Sequence, residues 1–267
     1  MQVVTAIVLL MKFCLSGVIG VRLLRIPERA RWSPERCLGW FFLIADVLGG
    51  VLIVVAYGIW SSEGSAESSE AITRLHAAGQ LALTFGYAMV LLFTQRTFYP
   101  EAKWASVLTA STIAVLVVSV AGRLFYEGFG ISLDPGPFHW MGYYCRIGGL
   151  VWAGVAAMGY WLQMKRRAAL GLADPVVANR FLLWVLWAAG NVLTAFAEPV
   201  ARGVYGWLTG ADAGAAASIQ QVGGSLITVT LCITSVLGVA TTAILFLAFF
   251  PTRRYRNWIV DRAAVQR

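Results

Sequence analysis

Apolar runs of about twenty residues recur along almost the whole chain, and hydrocarbon is the medium such runs suit. At 1.5 Å per residue, a helix of about twenty residues bridges the roughly 30 Å core of a bilayer. Seven runs are expected to be spans: Val3–Leu24, Leu38–Trp60, Ala71–Phe93, Ala105–Leu124, Phe138–Met164, Asn179–Pro199 and Gly223–Phe250. Lipid offers no water to backbone groups, so each run must satisfy its own N–H and C=O as a helix. The predicted fold class is therefore an all-α integral membrane protein, a bundle of seven transmembrane helices. Charged residues are 13% of the 267 positions and mean hydropathy is +0.72, whereas a soluble domain carries about 25% charged residues. The connections are too short for a further domain, which leaves residues 1–250 as the bundle and 251–267 as a basic amphipathic cytoplasmic tail. The first run is interrupted by Lys12 and lacks a basic leader, so it is expected to be a retained helix rather than a cleaved signal.

Basic residues alternate between connections. Arg25, Arg29, Arg31 and Arg36 follow span 1, Arg96 and Lys103 follow span 3, and Lys165, Arg166 and Arg167 follow span 5. The tail adds Arg253, Arg254 and Arg256, while the 61–70 connection is acidic and rich in serine. The positive-inside rule then puts the N-terminus outside and the C-terminus in the cytoplasm of a multi-pass protein of the plasma (cell inner) membrane. The same placement explains the formal charge of +8 without nucleic acid as a partner. The partners implied are the lipid bilayer and a cytoplasmic or membrane protein at the basic face. Two cytoplasmic exits, Pro27 to Trp32 and Pro100 to Trp104, share a proline, acid, base and tryptophan pattern, the way any helix end meets headgroups. In the tail, Tyr255, Trp258 and Ile259 share a helical face opposite Arg254 and Arg256, which suits a short helix on the inner leaflet. Prolines mark helix starts at Pro34, Pro100, Pro137 and Pro175. Cys14, Cys37, Cys145 and Cys232 lie in different spans without pairing spacing and are expected to be buried free thiols.

Ionisable groups at membrane depth are the informative ones, since each costs about 2.5–3.5 kcal/mol at a helix centre. Lys12 in span 1 and Asp46 in span 2 are expected to form a buried charge pair, with Ser16 and Gly20 following Lys12 on its face. In span 3, Thr73, His76, Gln80, Thr84 and Tyr87 recur at steps of three and four and form one polar stripe. Arg146 shares a face of span 5 with Gly142, Gly149, Ala153 and Ala157, small residues that permit close approach, so it is expected to turn inward. Nearer the outer surface lie His139 at the start of span 5, Glu198 at the end of span 6, and Glu127 and Asp134 between spans 4 and 5.

These residues define the expected site. It is an outward-opening polar pocket lined by His76, Gln80, Tyr87, His139, Tyr143, Arg146 and Glu198, with Arg146 at its floor. The leading expectation is a non-enzymatic ligand-binding or sensory bundle. One alternative is a redox or enzyme subunit in which His76 and His139 hold haem or a metal ion. A second is a small-solute transporter using Lys12, Asp46 and Arg146.

The seven-helix, N-outside plan resembles that of rhodopsins and G-protein-coupled receptors in architecture. Span 7 has no lysine for a retinal Schiff base, span 3 ends in Thr94-Gln95-Arg96-Thr97 rather than Asp-Arg-Tyr, and no Asn-Pro-x-x-Tyr occurs. Opsin chemistry is thereby excluded.

Overall fold

In a computed structural model, residues 2–25, 33–63, 69–131, 135–209 and 234–265 are described. They form helices and no strand. In chain order these are α1 (Gln2–Leu24), α2 (residues 34–63), α3 (Glu70–Phe98), α4 (Lys103–Glu127), α5 (Pro137–Ala169), α6 (Pro175–Thr209), α7 (Thr234–Phe249) and α8 (Arg253–Val265). Five of them contain stretches long and apolar enough to cross a membrane, α1, α2, α3, α4 and α6. A sixth joins if α7 and α8, bent by 78°, are taken together. The stretch expected as the fifth span forms α5, 33 residues long and so about 50 Å, but it is not among the helices apolar enough to cross a membrane. Glycines, tyrosines, Trp140, Trp152 and Arg146 dilute its hydropathy. Of the expected last span, residues 223–233 lie outside the described residues, as do Cys232 and Asp134.

Local chemistry starts and stops these helices. Ser33 caps α2, its hydroxyl accepting from the Arg36 amide at 3.4 Å, with Pro34 in the first turn. Asp174 caps α6 by accepting from the Val176 amide at 2.8 Å, ahead of Pro175. Thr252 does the same for Tyr255 in α8 at 3.2 Å. After α5 the chain turns through Gly171 at φ 73°, a left-handed conformation that glycine adopts without strain. Pro100 departs from expectation: it lies in the turn before α4, which begins at Lys103. Pro199 departs further. It was expected to close span 6 after Glu198, but α6 runs through it to Thr209.

Close approach builds the packing. A Cβ on Gly86 of α3 would fall 2.2 Å from the Cβ of Ala45 in α2, and one on Gly79 would meet the Gly49 carbonyl at 3.2 Å. The α2–α3 crossing is therefore backbone against backbone, the geometry small residues permit. Around it the bundle divides in two. Toward the end where the basic connections lie, Ile19, Leu23, Leu38, Phe41, Phe42, Val90, Phe93, Leu150, Trp184, Trp187 and Leu245 form one buried core. Rings interlock through it, with Phe93 stacked on Trp184 at 4.7 Å and Phe41 edge-on to Trp187 at 5.9 Å. His76 and Gln80 of α3 and Arg146 of α5 gather toward the other end.

Cys37 is buried and Cys145 half-buried, but Cys14 is exposed on α1, contrary to expectation. A free thiol behaves as a small apolar group, and a lipid-facing position suits it equally well.

Candidate functional site

The stripe on α3 points into the bundle. His76 is 3% exposed, whereas Leu81 and Phe85 on the opposite face are 48% and 45% exposed. Apolar side chains on that face can meet lipid without loss, while the polar face needs partners. It finds them across the α3–α5 interface. The Arg146 guanidinium donates to Gln80 Oε1 at 3.2 Å, and Gln80 Nε2 lies 3.3 Å from His76 Nε2. His76 Nδ1 lies 2.6 Å from the Phe129 carbonyl oxygen.

The proton positions follow from this chain. With Gln80 Oε1 accepting from Arg146, the amide nitrogen of Gln80 must donate to His76 Nε2. That nitrogen is then unprotonated, and His76 is neutral, with its proton on Nδ1 donated to Phe129. Both ring nitrogens of His76 are thus engaged within the protein.

Arg146 lies between two tyrosines, its guanidinium carbon 5.9 Å from the Tyr87 ring centre and 5.8 Å from that of Tyr143. Such an approach is favourable for a cation over an aromatic face. The Tyr143 ring stacks on His139 at 6.0 Å, and its hydroxyl donates to the Ala195 carbonyl of α6. His139 also packs edge-on against Trp140 at 5.4 Å. Of the expected site, then, His76, Gln80, Tyr87, His139, Tyr143 and Arg146 form one connected cluster. The backbone of Glu198 falls in α6, and its side chain lies outside what the structure describes.

A second polar cluster lies deeper. Lys12 Nζ is 2.7 Å from Asp46 Oδ1, and the Ser16 hydroxyl donates to Asp46 Oδ2 at 2.5 Å. Lysine and serine one helical turn apart on α1 thus hold both oxygens of one carboxylate. The Lys12 chain lies along Gly238 of α7, where a Cβ would stand 3.0 Å from its Cδ. Asp46 sits in a stretch of α2, Phe41–Gly49, wound as π-helix. This rare winding often marks functional positions. Tyr87, whose ring lies under Arg146, also packs edge-on against Phe41 of the same π-helical stretch at 5.7 Å.

Glu127, at the end of α4, caps the next helix. Its two carboxylate oxygens accept from the amides of Phe138 at 2.6 Å and His139 at 3.1 Å. The α5 N-cap is Gly136, which has no side chain to do this, so the carboxylate is borrowed from the end of α4. Arg123, in the π-helical last turn of α4, is buried and lies over the Phe129 ring at 4.6 Å. Nothing in the sequence pairs Arg123 with Phe129 or names the Phe129 carbonyl as the acceptor for His76. Those contacts arise where the chain turns after α4.

Comparison with models of protein families, with characterised proteins and with solved structures found no match for this chain. Fold and site together define a helical protein whose helices can span a membrane, carrying an arginine–glutamine–histidine chain between two of them.

Proposed function

We propose that this chain is a non-enzymatic, seven-helix protein of the plasma (cell inner) membrane, with α1–α7 as spans, that binds a small ligand at the Arg146 cluster in a receptor-like or sensory role. The positive-inside rule orients it: Arg25, Arg36, Arg96, Lys103, Lys165 and the arginines of α8 lie at the cytoplasmic end. The N-terminus and the polar half then face outward.

The observation that carries this reading is the asymmetry of the interior. Polar side chains that retain accessible surface, Gln80, Tyr143 and Arg146, occupy the outer half, with Tyr87 at its boundary with the core. A closed core of interlocked rings fills the inner half. A polar site above a sealed floor suits binding from outside better than passage through the bundle. It therefore favours a receptor over the transporter considered from the sequence. A haem or metal reading would require His76 to exchange the hydrogen bond it accepts from Gln80 on Nε2 for a metal bond. The ligand class follows from the side chains: a guanidinium between two tyrosine rings recognises a small anion, a carboxylate above all, with a planar or apolar part against the rings.

A thermal-shift screen of the protein in lipid nanodiscs, using benzoate, acetate, glutamate and phosphate as probes, tests this. An anion that raises the midpoint of the native protein but not of Arg146→Gln supports the site. If every probe shifts both proteins equally, the reading fails. A strong absorption band near 400 nm in the purified protein, lost in His76→Ala, would replace it with the haem alternative.

A further inference from the structure

The hydroxyl of Tyr143 sits at a specific gap in α6. An α-helix bonds the amide of each residue to the carbonyl four residues earlier. Proline has no N–H, so Pro199 cannot donate to the carbonyl of Ala195. That carbonyl is the one to which Tyr143 donates. A side chain from α5 therefore supplies the hydrogen bond that Pro199 removes, and α6 continues past the break for ten residues, to Thr209.

The same tyrosine borders the ligand site. Its ring faces the Arg146 guanidinium on one side and stacks on His139. Tyr143 cannot move toward or away from Arg146 without changing its hold on Ala195. Proline breaks are where long helices kink, and residues 200–209 lie beyond this one.

We propose that Tyr143 is a latch coupling the Arg146 site to the outer segment of α6, residues 200–209, with Pro199 as the hinge. The coupling gives the binding reading above its route of output, and on that point it rests on that reading. The latch itself does not need a ligand. A group bound at Arg146 that displaces the Tyr143 ring withdraws the hydroxyl from Ala195 and frees the segment beyond Pro199. One that presses the ring in place holds the segment.

The test is a double-variant cycle on the full chain in nanodiscs: native, Tyr143→Phe, Pro199→Ala and both together. Phenylalanine keeps the ring and removes the donor, while alanine at 199 restores the backbone donor. Tyr143→Phe should lower the unfolding midpoint by about 3 °C or more. It should also raise amide exchange over residues 200–205 roughly tenfold, as expected for a carbonyl deprived of its partner. In the Pro199→Ala background both effects should disappear, because residue 199 then donates to Ala195. If Tyr143→Phe alone does not fold, recovery of folding in the double variant is the same rescue. Arg146→Gln should raise exchange over residues 200–205 in the native background and leave it unchanged in Pro199→Ala. Additive effects of Tyr143→Phe and Pro199→Ala overturn the latch. An intact cycle with no effect of Arg146→Gln overturns the coupling to the site. Neither result depends on whether any anion binds, so a failed ligand screen is distinguishable from a failed latch.

Discussion

Removing one partner of the Lys12–Asp46 pair should destabilise the bundle far more than removing both. The ions are 2.7 Å apart, with side chains 23% and 15% exposed. At an effective dielectric of about 20 their attraction is about 6 kcal/mol, most of it offset by desolvation. Breaking such a pair leaves a lone charge and costs about 3–5 kcal/mol. Lys12→Met leaves Asp46 the hydroxyl of Ser16, a hydrogen bond to a charged group worth about 1.5–3 kcal/mol. Its loss should therefore fall near 3 kcal/mol. Asp46→Leu leaves Lys12 over the face of the Phe13 ring, whose centre is 5.7 Å from Nζ. Its loss should be nearer 4 kcal/mol, since that contact is worth about 0.5–2 kcal/mol. In Lys12→Met/Asp46→Leu no charge remains to be solvated, and the loss should drop to about 2 kcal/mol, the cost of leaving the buried Ser16 hydroxyl without its acceptor. Reversible unfolding in mixed lipid–detergent micelles, followed by far-UV circular dichroism during SDS titration, measures all three. A double variant whose loss equals the two single losses added together would refute the pairing, because independent sites add and coupled neighbours do not.

Three further outcomes are expected. In a cysteine-free background, a cysteine at Ser65 should react with an impermeant maleimide on intact cells, and one at Ala264 only after permeabilisation; the reverse pattern would invert the topology. Glu127→Ala removes the borrowed cap of α5 and should cost about 0.5–2 kcal/mol in the same titration, with Glu127→Gln recovering part of it. Gly86→Val should abolish folded yield, measured by fluorescence-detected size exclusion. A Cβ there would meet Ala45 at 2.2 Å with the α2 backbone behind it at 3.2 Å, and overpacking of a rigid contact costs about 1–3 kcal/mol or more. Near-native yield would mean that the two helices are less closely apposed.

The sequence alone determined that the chain forms long apolar helices, and which face of α3 turns inward. Apolar runs near twenty residues admit only helices in hydrocarbon, and the helical period carries Thr73, His76, Gln80, Thr84 and Tyr87 to one side of α3. Small residues beside Arg146 and Asp46 likewise marked the faces that approach other helices, and the lysine–aspartate pairing followed from the cost of either ion alone. What only the tertiary structure decided is which groups meet across the helices. The Arg146–Gln80–His76 chain starts from a guanidinium on α5 and ends on a carbonyl at Phe129, 53 residues from His76. The π-helical winding around Asp46 is likewise seen only in the structure. Pro199 looked like a helix end because proline is, locally, a helix breaker. The helix nevertheless continues, and a hydroxyl from α5, 52 positions away in the chain, bonds the carbonyl that proline leaves. Local periodicity assigns a residue to a face. A hydrogen bond between distant segments has no period in the sequence and exists only once packing has brought its two ends together.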